Sequence, residues 1–374
     1  MSELPSIRET ILTNKTYILL FFVVIVIIGI LVYISIKLNL KYTNCSTLSR
    51  AVNTTVGSIK NASVGDINAP LNQFFIKTAH NCCCVGNFKN DYVDACSLKN
   101  CASFGVRALD FQIYSLNNSP IVSASSIEST QYKEIYNYMT FYDTMNYVRK
   151  FFIDDGTNAN CKDPLFLIFR LYTTNEPIYD MMAQVLNRIY GYTSAMGNMI
   201  YTLDSSNNDS LDTTPLSELM NKVIIIVDPT YGNKSAFPNS RLSDFASMVT
   251  GVSMNNQIYR ESTLLGVVAV NKTNGYSTDV SNNLSILYPD LQPNKNNYDF
   301  VTSGIFNYLS FIGMNFQYND QFLIQYNTKF FNSCAFIKKQ KMIETMCLNP
   351  EFGATNVCKN IIAKKISNDK FLNP

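Results

Sequence analysis

Residues 163–191 have the sequence DPLFLIFRLYTTNEPIYDMMAQVLNRIYG, in which an apolar strand precedes a helix. The strand candidate Leu165–Tyr172 is apolar at nearly every position, as expected of a strand that is covered on both faces. Pro177 begins the helix and Gly191 ends it. The apolar residues between them follow helical spacing and predict core packing rather than a cofactor site: Ile178, Met181, Met182, Val185, Leu186 and Ile189.

Short apolar runs of the same kind recur between residues 73 and 316. The further strand candidates are Phe74–Ala79, Val106–Tyr114, Pro120–Ala124, Val223–Val227, Leu264–Val270, Leu284–Tyr288 and Ser310–Phe316. Eight strands with interleaved helices predict an α/β fold, namely an irregular TIM-type (β/α)8 barrel.

An unbroken apolar run, YILLFFVVIVIIGILVYISI, covers residues 17–36. At ~1.5 Å per residue, such a helix crosses a hydrocarbon core of ~30 Å. The run is too long for the apolar region of a signal peptide, and Lys37 and Lys41 follow it in place of a cleavage site. We therefore predict a single N-terminal transmembrane helix.

The chain divides into five parts on this basis. They are a short tail (1–16), the transmembrane helix (17–37), a polar stalk (38–70), the barrel (71–340) and a cysteine-containing tail (341–374). Basic residues on both sides of the span leave its orientation open. Because all ten cysteines follow the span, we place the large domain on the lumenal, extracellular or virion-surface side.

Composition excludes several classes of protein. Thirty basic and 28 acidic residues give a net charge of +2, which offers no electrostatic reason to expect nucleic-acid binding. An aromatic content of 13% argues against disorder. His80 is the only histidine in the sequence, so a three-histidine metal site within one subunit is excluded.

The ten cysteines favour disulfides over zinc, because C-x-x-C pairs do not repeat and only one histidine is present. Cys82, Cys83 and Cys84 are adjacent, and adjacent cysteines bridge each other poorly. We expect each to pair elsewhere, for instance with Cys96, Cys101 or Cys161. Three further cysteines are expected to attach the C-terminal tail to the barrel: Cys334, Cys347 and Cys358.

Four ordered segments resemble the X/Y catalytic barrel of phosphoinositide-specific phospholipase C. FFIKTAHNCC (74–83) resembles the strand that ends in Ser-His-Asn, and CASFGVRALDFQIYSLNNSPIVSAS (101–125) resembles the next strand, turn and strand. The segment 163–191, with PLSELMNKVIIIVD (215–228), is similar to the middle of that barrel. LSILYPDLQPNKNNYDF (284–300) and IGMNFQYNDQFLIQYNTKFFNSCAFIKK (312–339) resemble its closing half.

The resemblance implies a site at the carboxyl ends of the strands. Members cleave a phosphodiester with one histidine as general base and a second as general acid, and eukaryotic members add calcium. His80 matches the first histidine, Asn81 the calcium-binding asparagine and Asp110 a strand carboxylate. Tyr288 matches a tyrosine that packs on the inositol ring. The substrate-binding candidates are therefore Asn81 and Tyr288.

Other positions depart from the family pattern. Ala124 stands where the second histidine is expected, and Gln112 where a second carboxylate is expected. Arg170 also replaces a carboxylate; it would oppose calcium and could substitute for the cation of bacterial members. Ile226 and Asp228 replace two phosphate-binding lysines, and Ile286 replaces an arginine.

We therefore expect no metal and no calcium cofactor, and a vestigial catalytic set of His80, Asp110 and Arg170. In a purely structural interpretation, His80 is a hydrogen-bonded strand-end residue with Asp110 as its partner.

The hypothesis that these departures favour is a membrane-anchored barrel without phospholipase activity, which acts as a binding or structural protein. Its partners would be the bilayer, through residues 17–37, and an inositol lipid or host-surface ligand. The composition, rich in Asn, Tyr, Ile and Lys, suits an AT-rich genome such as that of a large DNA virus, which suggests a virion membrane.

Two alternatives remain open. One is an active phosphoric diester hydrolase on inositol phospholipids or related head groups, using His80, Asp110 and Arg170. The other is an extracellular binding module that uses exposed aromatic residues: Tyr132, Tyr136, Tyr138 and Tyr142.

Overall fold

The computed structural model describes twelve ranges of the chain: residues 7–50, 56–59, 66–130, 133–154, 156, 158–192, 197–203, 210–251, 257–264, 284–293, 296–305 and 308–347. The helices are α1 (Ile7–Arg50), α2 (Ala95–Ser103), α3 (Phe141–Phe152), α4 (Pro177–Tyr190), α5 (Arg241–Phe245), α6 (Gln321–Gln325) and α7 (Lys339–Cys347). The strands are β1 (Phe74–Ala79), β2 (Ala108–Leu116), β3 (Ser119–Ser123), β4 (Met139–Thr140), β5 (Leu165–Leu171), β6 (Ile200–Tyr201), β7 (Val223–Asp228), β8 (Ala246–Val249), β9 (Ile258–Arg260), β10 (Ile286–Tyr288), β11 (Phe311–Met314) and β12 (Phe336–Lys338).

Eight strands form a parallel, curled sheet in the order β8-β7-β5-β2-β1-β11-β10-β9. Helices α2 to α5 lie between the successive parallel strands from β1 to β8, as in an α/β barrel. Within the described ranges no ladder joins β8 to β9, which are the two ends of this order. Short strands extend the sheet: β6 pairs with β7, β12 with β1, and β3 with both β2 and β4.

Alternate residues of each parallel strand pack on opposite faces of the sheet, as strand geometry requires. One set fills the inside of the barrel and includes Ile76, Ala108, Ile168 and Ile226. The neighbouring residues on the same strands pack outward against the helices, in a second and larger cluster. Two hydrophobic layers therefore hold the strand ends, and any side chains on them, in fixed positions.

The predicted strands agree with the structure in most places. Phe74–Ala79 is strand β1 to the residue, and α4 begins at Pro177 and ends before Gly191 as expected. In that helix Met181 is exposed, so the predicted apolar face is narrower than expected.

One predicted barrel strand is corrected by the structure, and a second lies mostly outside the described residues. Pro120–Ala124 corresponds to β3, which returns antiparallel to β2 as a hairpin and is not one of the eight parallel strands. Leu264 closes a helical turn, and the rest of Leu264–Val270 lies outside the described residues. The parallel strands β8 and β9 were not predicted.

The apolar N-terminal run lies in α1, whose side chains between Tyr17 and Ile36 are almost all exposed. This helix is long and apolar enough to cross a membrane. It does not stop at the predicted boundary but continues to Arg50. Residues 38–50, which we expected to belong to a polar stalk, are helical, and they contact the barrel through Lys41, Asn44 and Cys45.

One disulfide fastens this helix to the barrel, because Cys45 of α1 is bonded to Cys96 of α2. The expected bridges of the cysteine triplet are absent, since Cys82, Cys83 and Cys84 are buried thiols, as is Cys101. Cys334 is also a free thiol, which corrects its expected role in attaching the tail. Cys347, at the end of α7, is disulfide-bonded, while residues 348–374 of the C-terminal tail, with Cys358, lie outside the described residues.

Candidate functional site at the carboxyl ends of the strands

Register brings the predicted site residues together at one end of the barrel. Thr78 pairs with Ala108 and with Gly313, so His80 lies beside Asp110 on one side and Asn315 on the other. Gln112 pairs with Arg170, and Arg170 with Asp228. Residues two apart on a strand share a face. These polar side chains therefore point into the barrel, like the apolar residues of its interior, but lie nearer the carboxyl ends of the strands.

Asp110 and Arg170 form a fully buried ion pair with two hydrogen bonds. Arg170 donates from Nε to Oδ1 at 2.7 Å and from Nη2 to Oδ2 at 2.8 Å. The backbone N–H of Asn81 donates to the same carboxylate at 2.9 Å. Asn81 has a positive φ of 45°, a conformation that asparagine tolerates better than most residues. The carboxylate is thus occupied by protein donors.

The charges of this pair are stabilised despite burial. Burial alone would raise the pKa of Asp110, but the Arg170 guanidinium outweighs it and holds this pKa below 3.8. Burial likewise acts to lower the pKa of Arg170, and Asp110 raises it well above its ordinary value. Both groups are therefore ionised at neutral pH.

His80 is oriented by Asn315 and faces two arginines. Its Nδ1 lies 2.9 Å from Oδ1 of Asn315, which assigns the proton to Nδ1 because an amide oxygen can only accept. Its Nε2 then carries the lone pair and lies 3.2 Å from Nη1 of Arg260 and 3.4 Å from Nη2 of Arg170. Asp110 is 3.8 Å from the same nitrogen, so the expected His80–Asp110 pair gives way to Asp110–Arg170.

These surroundings keep His80 neutral. Burial lowers its pKa from 6.5 to about 3, with Asp110 opposing this shift and the two arginines adding to it. The ring of Tyr288 packs on His80 at 4.7 Å between centroids and also contacts both guanidiniums. Gly313 makes room for this tyrosine, since a Cβ there would lie 2.5 Å from Cδ1 of Tyr288.

Arg260 was not predicted, because it belongs to no recognisable sequence motif. Its guanidinium links three parts of the barrel rim. It donates to Oε1 of Glu128 from Nη2 at 3.0 Å and to the carbonyl of Pro289 at 3.0 Å. Tyr231 donates its hydroxyl to the other oxygen of Glu128. Burial would raise the pKa of Glu128, but Arg260 keeps it below its ordinary value. Glu128 is therefore an anion that is paired with Arg260.

A cleft of about 290 Å³ opens beside this ion pair. Its lining includes both arginines, Glu128 and Lys234, together with polar groups from the loops that follow β7 and β8. The residues that line it do not include His80, which is fully buried beneath the guanidiniums. A ligand in this cleft therefore meets the arginines rather than the imidazole.

The remaining positions of the predicted site are structural or acidic. Gln112 accepts from the backbone N–H of Ser125 at 2.7 Å and orders the segment that follows β3. Ala124, at the position expected for a second histidine, is fully buried. Ile226 belongs to the apolar interior, while Asp228 lines the cleft and accepts from the backbone of Thr230 at 3.0 Å. The pKa of Asp228 is raised by burial.

The donor set does not suit calcium. Ca²⁺ takes six to eight oxygen ligands, with carboxylates prominent among them. Here the single carboxylate next to Asn81 is already paired with Arg170, and Arg260 adds a second positive charge. The side-chain oxygen of Asn81 itself accepts from Arg170 at 2.8 Å. Arg170 thus already uses the side-chain oxygens of Asn81 and Asp110 that a cation would need.

All five predicted site residues come together: His80, Asn81, Asp110, Arg170 and Tyr288 are neighbours in one cluster. Sequence reasoning missed four participants, which are Asn315, Arg260, Glu128 and Tyr231. Asn315 directly follows the strand β11, and this position at a strand end was the signal that could have identified it. Arg260 and Glu128 stand in no recognisable motif.

Comparisons with known proteins support the fold only through structure. No protein-family model matches the sequence, and no curated protein matches it either. The crystal structure of PLC21 from L. pealei superposes with a TM-score of 0.56 at 14% identity, covering 73% of this chain and 38% of that one. PLC21 from S. officinalis gives a TM-score of 0.56 at 13% identity, covering 74% and 38%.

The chain therefore spans well under half the length of these two proteins. A calcium-dependent phosphoinositol-specific phospholipase C from a Pseudomonas species is also similar, with a TM-score of 0.42, 11% identity and coverage of 68% and 92%. The order of the strands and the superpositions on the two PLC21 structures agree: the chain has the fold of the phospholipase C-like TIM-barrel proteins.

Proposed function

We propose that this protein is a membrane-anchored barrel that binds an anionic phosphate-containing head group without cleaving it. The observation that carries the proposal is the position of His80. The lone pair on its Nε2 faces Arg260 and Arg170, and these arginines, rather than His80, line the cleft.

A general base must reach the proton that it removes and must have a pKa near the working pH. His80 is fully buried, its Nε2 is occupied by two donors, and its pKa of about 3 makes it a weak base. Buried Ala124 offers no proton to a leaving group. Each loss costs about 10²–10⁴-fold in rate, and both together leave little basis for turnover.

The same arrangement suits binding. Guanidinium groups bind phosphate with paired, charge-assisted hydrogen bonds. Arg260, Arg170 and Lys234 border the cleft, while Thr230 and Thr263 offer hydroxyl groups. The apolar N-terminal half of α1 supplies the attachment to a bilayer, in which phosphodiester head groups are abundant.

Calorimetric titration of the full chain, held in nanodiscs of neutral lipid, with soluble glycerophosphoinositol tests this function. Arg260→Gln is expected to weaken binding by about 10–100-fold, because a hydrogen bond to a charged group contributes about 1.5–3 kcal/mol. Arg241→Gln is the matched control, since Arg241 is an exposed arginine of α5 outside the cleft. Equal affinity of both variants, or no binding by the unaltered protein, would contradict the proposal.

One observation favours an alternative function, a metal-free phosphoric diester hydrolase. His80, Asp110 and Arg170 do converge, with Arg170 where a cation would stand. Cleavage of the probe during the titration, lost in His80→Ala, would establish this alternative. The lumenal, extracellular or virion-surface location of the barrel and its viral origin stay predictions from composition and cysteine content.

A further inference from the structure

The helix α1 reaches the barrel at the end that carries the cleft. Residues 80–94 follow β1 and therefore lie at the carboxyl ends of the strands; Phe88 packs on His80 at 5.5 Å. Lys37 is the first residue after the apolar run, and it contacts this loop directly. Its Nζ lies 3.5 Å from the carbonyl of Asn90, and its own carbonyl accepts from the Tyr92 hydroxyl at 3.2 Å.

Further contacts fasten the next two turns of α1 to the same edge. Lys41 forms an ion pair with Asp94 at 2.8 Å, and Asn44 donates to Asp91 at 3.0 Å. Cys45 is disulfide-bonded to Cys96 at the start of α2. These contacts fix the direction of the helix relative to the barrel.

The next described residues after α1, 56–59, lie at the opposite end of the barrel. Residues 37–50 extend about 20 Å along the helix axis, which is about the length of a six-residue strand. Gly57 donates to the carbonyl of Ser333 at 2.7 Å, and Ser58 donates to Asp163 at 2.7 Å. Asp163 precedes β5, so residues 57 and 58 lie at the amino ends of the strands.

Since α1 is one helix, its apolar half must leave the barrel in the opposite direction, past the carboxyl ends of the strands. We propose that the fold presents the mouth of the cleft to the bilayer that holds α1, so that the ligand is a head group of that same membrane surface. This inference rests on the proposed membrane attachment and deepens the proposed function by naming the source of the ligand.

The rim of the barrel has side chains suited to such a surface. Ile127, Tyr136 and Tyr138 are each about 45% exposed, in the segment between β3 and α3 that also carries Glu128. Tyrosine is favoured at membrane–water interfaces, where its ring meets apolar groups and its hydroxyl meets water. Ile324, exposed in α6, follows β11 at the same end.

Fluorescence quenching tests this orientation, because the protein contains no tryptophan. Tyr138→Trp places an indole on the rim, and Tyr192→Trp places one at the far end, where the segment after α4 leads into β6 beside the start of β7. The full chain is held in nanodiscs with a nitroxide on the lipid head groups. Quenching is expected to be several-fold stronger for Tyr138→Trp.

Equal quenching of the two indoles, stronger quenching at the far end, or none at either would overturn the inference. Thermal unfolding of both variants checks that they fold. The readout needs no ligand and no turnover, so a failed head-group titration with a positive quenching result would reject the proposed ligand while leaving the orientation intact.

Discussion

Nη1 of Arg260 lies 3.2 Å from Nε2 of His80, which places a guanidinium against the one nitrogen of the imidazole that could accept a proton from a substrate. A neutral imidazole tolerates this neighbour, whereas an imidazolium would be repelled by it. The contact therefore connects two properties of the site: the low pKa of the histidine and its lack of access to the cleft.

His80 is expected to stay neutral down to about pH 4. Because it is the only histidine, its imidazole resonances in a histidine-labelled sample belong to one residue and can be followed by NMR. Chemical shifts should be constant between pH 8 and pH 5. A titration with a midpoint near 6.5 would show that the imidazole is solvated and free of the arginines.

The same pKa predicts how stability depends on pH. The unfolded chain takes up a proton on His80 below about pH 6.5, but the folded chain does so only near 3. The unfolded state binds more protons in this window, so stability falls as pH falls, by up to ~1.4 kcal/mol per pH unit. Between pH 7 and pH 5, the free energy of unfolding measured with urea should fall less in His80→Gln than in the unaltered protein. An equal fall in both proteins would contradict this prediction.

The Asp110–Arg170 pair should act as a unit. Removing one partner leaves a buried, unpaired charge, and Arg170→Met is expected to cost about 3–5 kcal/mol of unfolding free energy. Asp110→Asn combined with Arg170→Met should cost less than the sum of the two single changes, because both charges are then gone. Urea denaturation of the four proteins measures this coupling. Additive losses would show that the two groups do not interact.

Glu128 should compete with the ligand. Its carboxylate accepts from Arg260, so a phosphate must displace it or bind beside it against charge repulsion. Glu128→Gln is expected to raise the affinity for glycerophosphoinositol several-fold in the same calorimetric titration. Glu218→Gln, at an exposed position of the 3-10 helix Leu216–Leu219, is the matched control. Unchanged or weaker binding by Glu128→Gln would place the ligand elsewhere.

The bond between Cys45 and Cys96 should stabilise the attachment of α1 to the barrel. Loss of a disulfide commonly costs about 2–4 kcal/mol. Under non-reducing conditions Cys45→Ser is expected to lower the melting temperature of the full chain, whereas Cys161→Ser should not, since Cys161 takes no part in the Cys45–Cys96 bond. Identical melting of Cys45→Ser and the unaltered protein would argue that the bond contributes nothing.

Long apolar strands and a capped helix could be predicted from the sequence, because their patterns are local. Phe74–Ala79 and α4 are examples, and both depend on periodicity and on Pro177 and Gly191. Strands β8 and β9 contain only four and three residues, which is too short for a pattern. Pro120–Ala124 has the composition of a barrel strand, but its hairpin partner is set by the turn at Asn117 and Asn118, both with positive φ.

The site was predictable where a residue lies within a recognisable strand or directly after it. His80, Asp110 and Arg170 are such residues, and register alone brings them together. Arg260 was not predictable, because it ends a three-residue strand and its role depends on a partner 132 positions away, Glu128. Cysteine pairing failed for the same reason: only the fold shows that the polar end of α1 packs beside α2.

The most direct test of the central claim is a turnover assay on the full chain in vesicles that contain labelled phosphatidylinositol, with and without calcium. The account predicts that release of inositol phosphate will not exceed that of His80→Ala under either condition. Release by the unaltered protein that His80→Ala abolishes would contradict it and would establish a working diesterase.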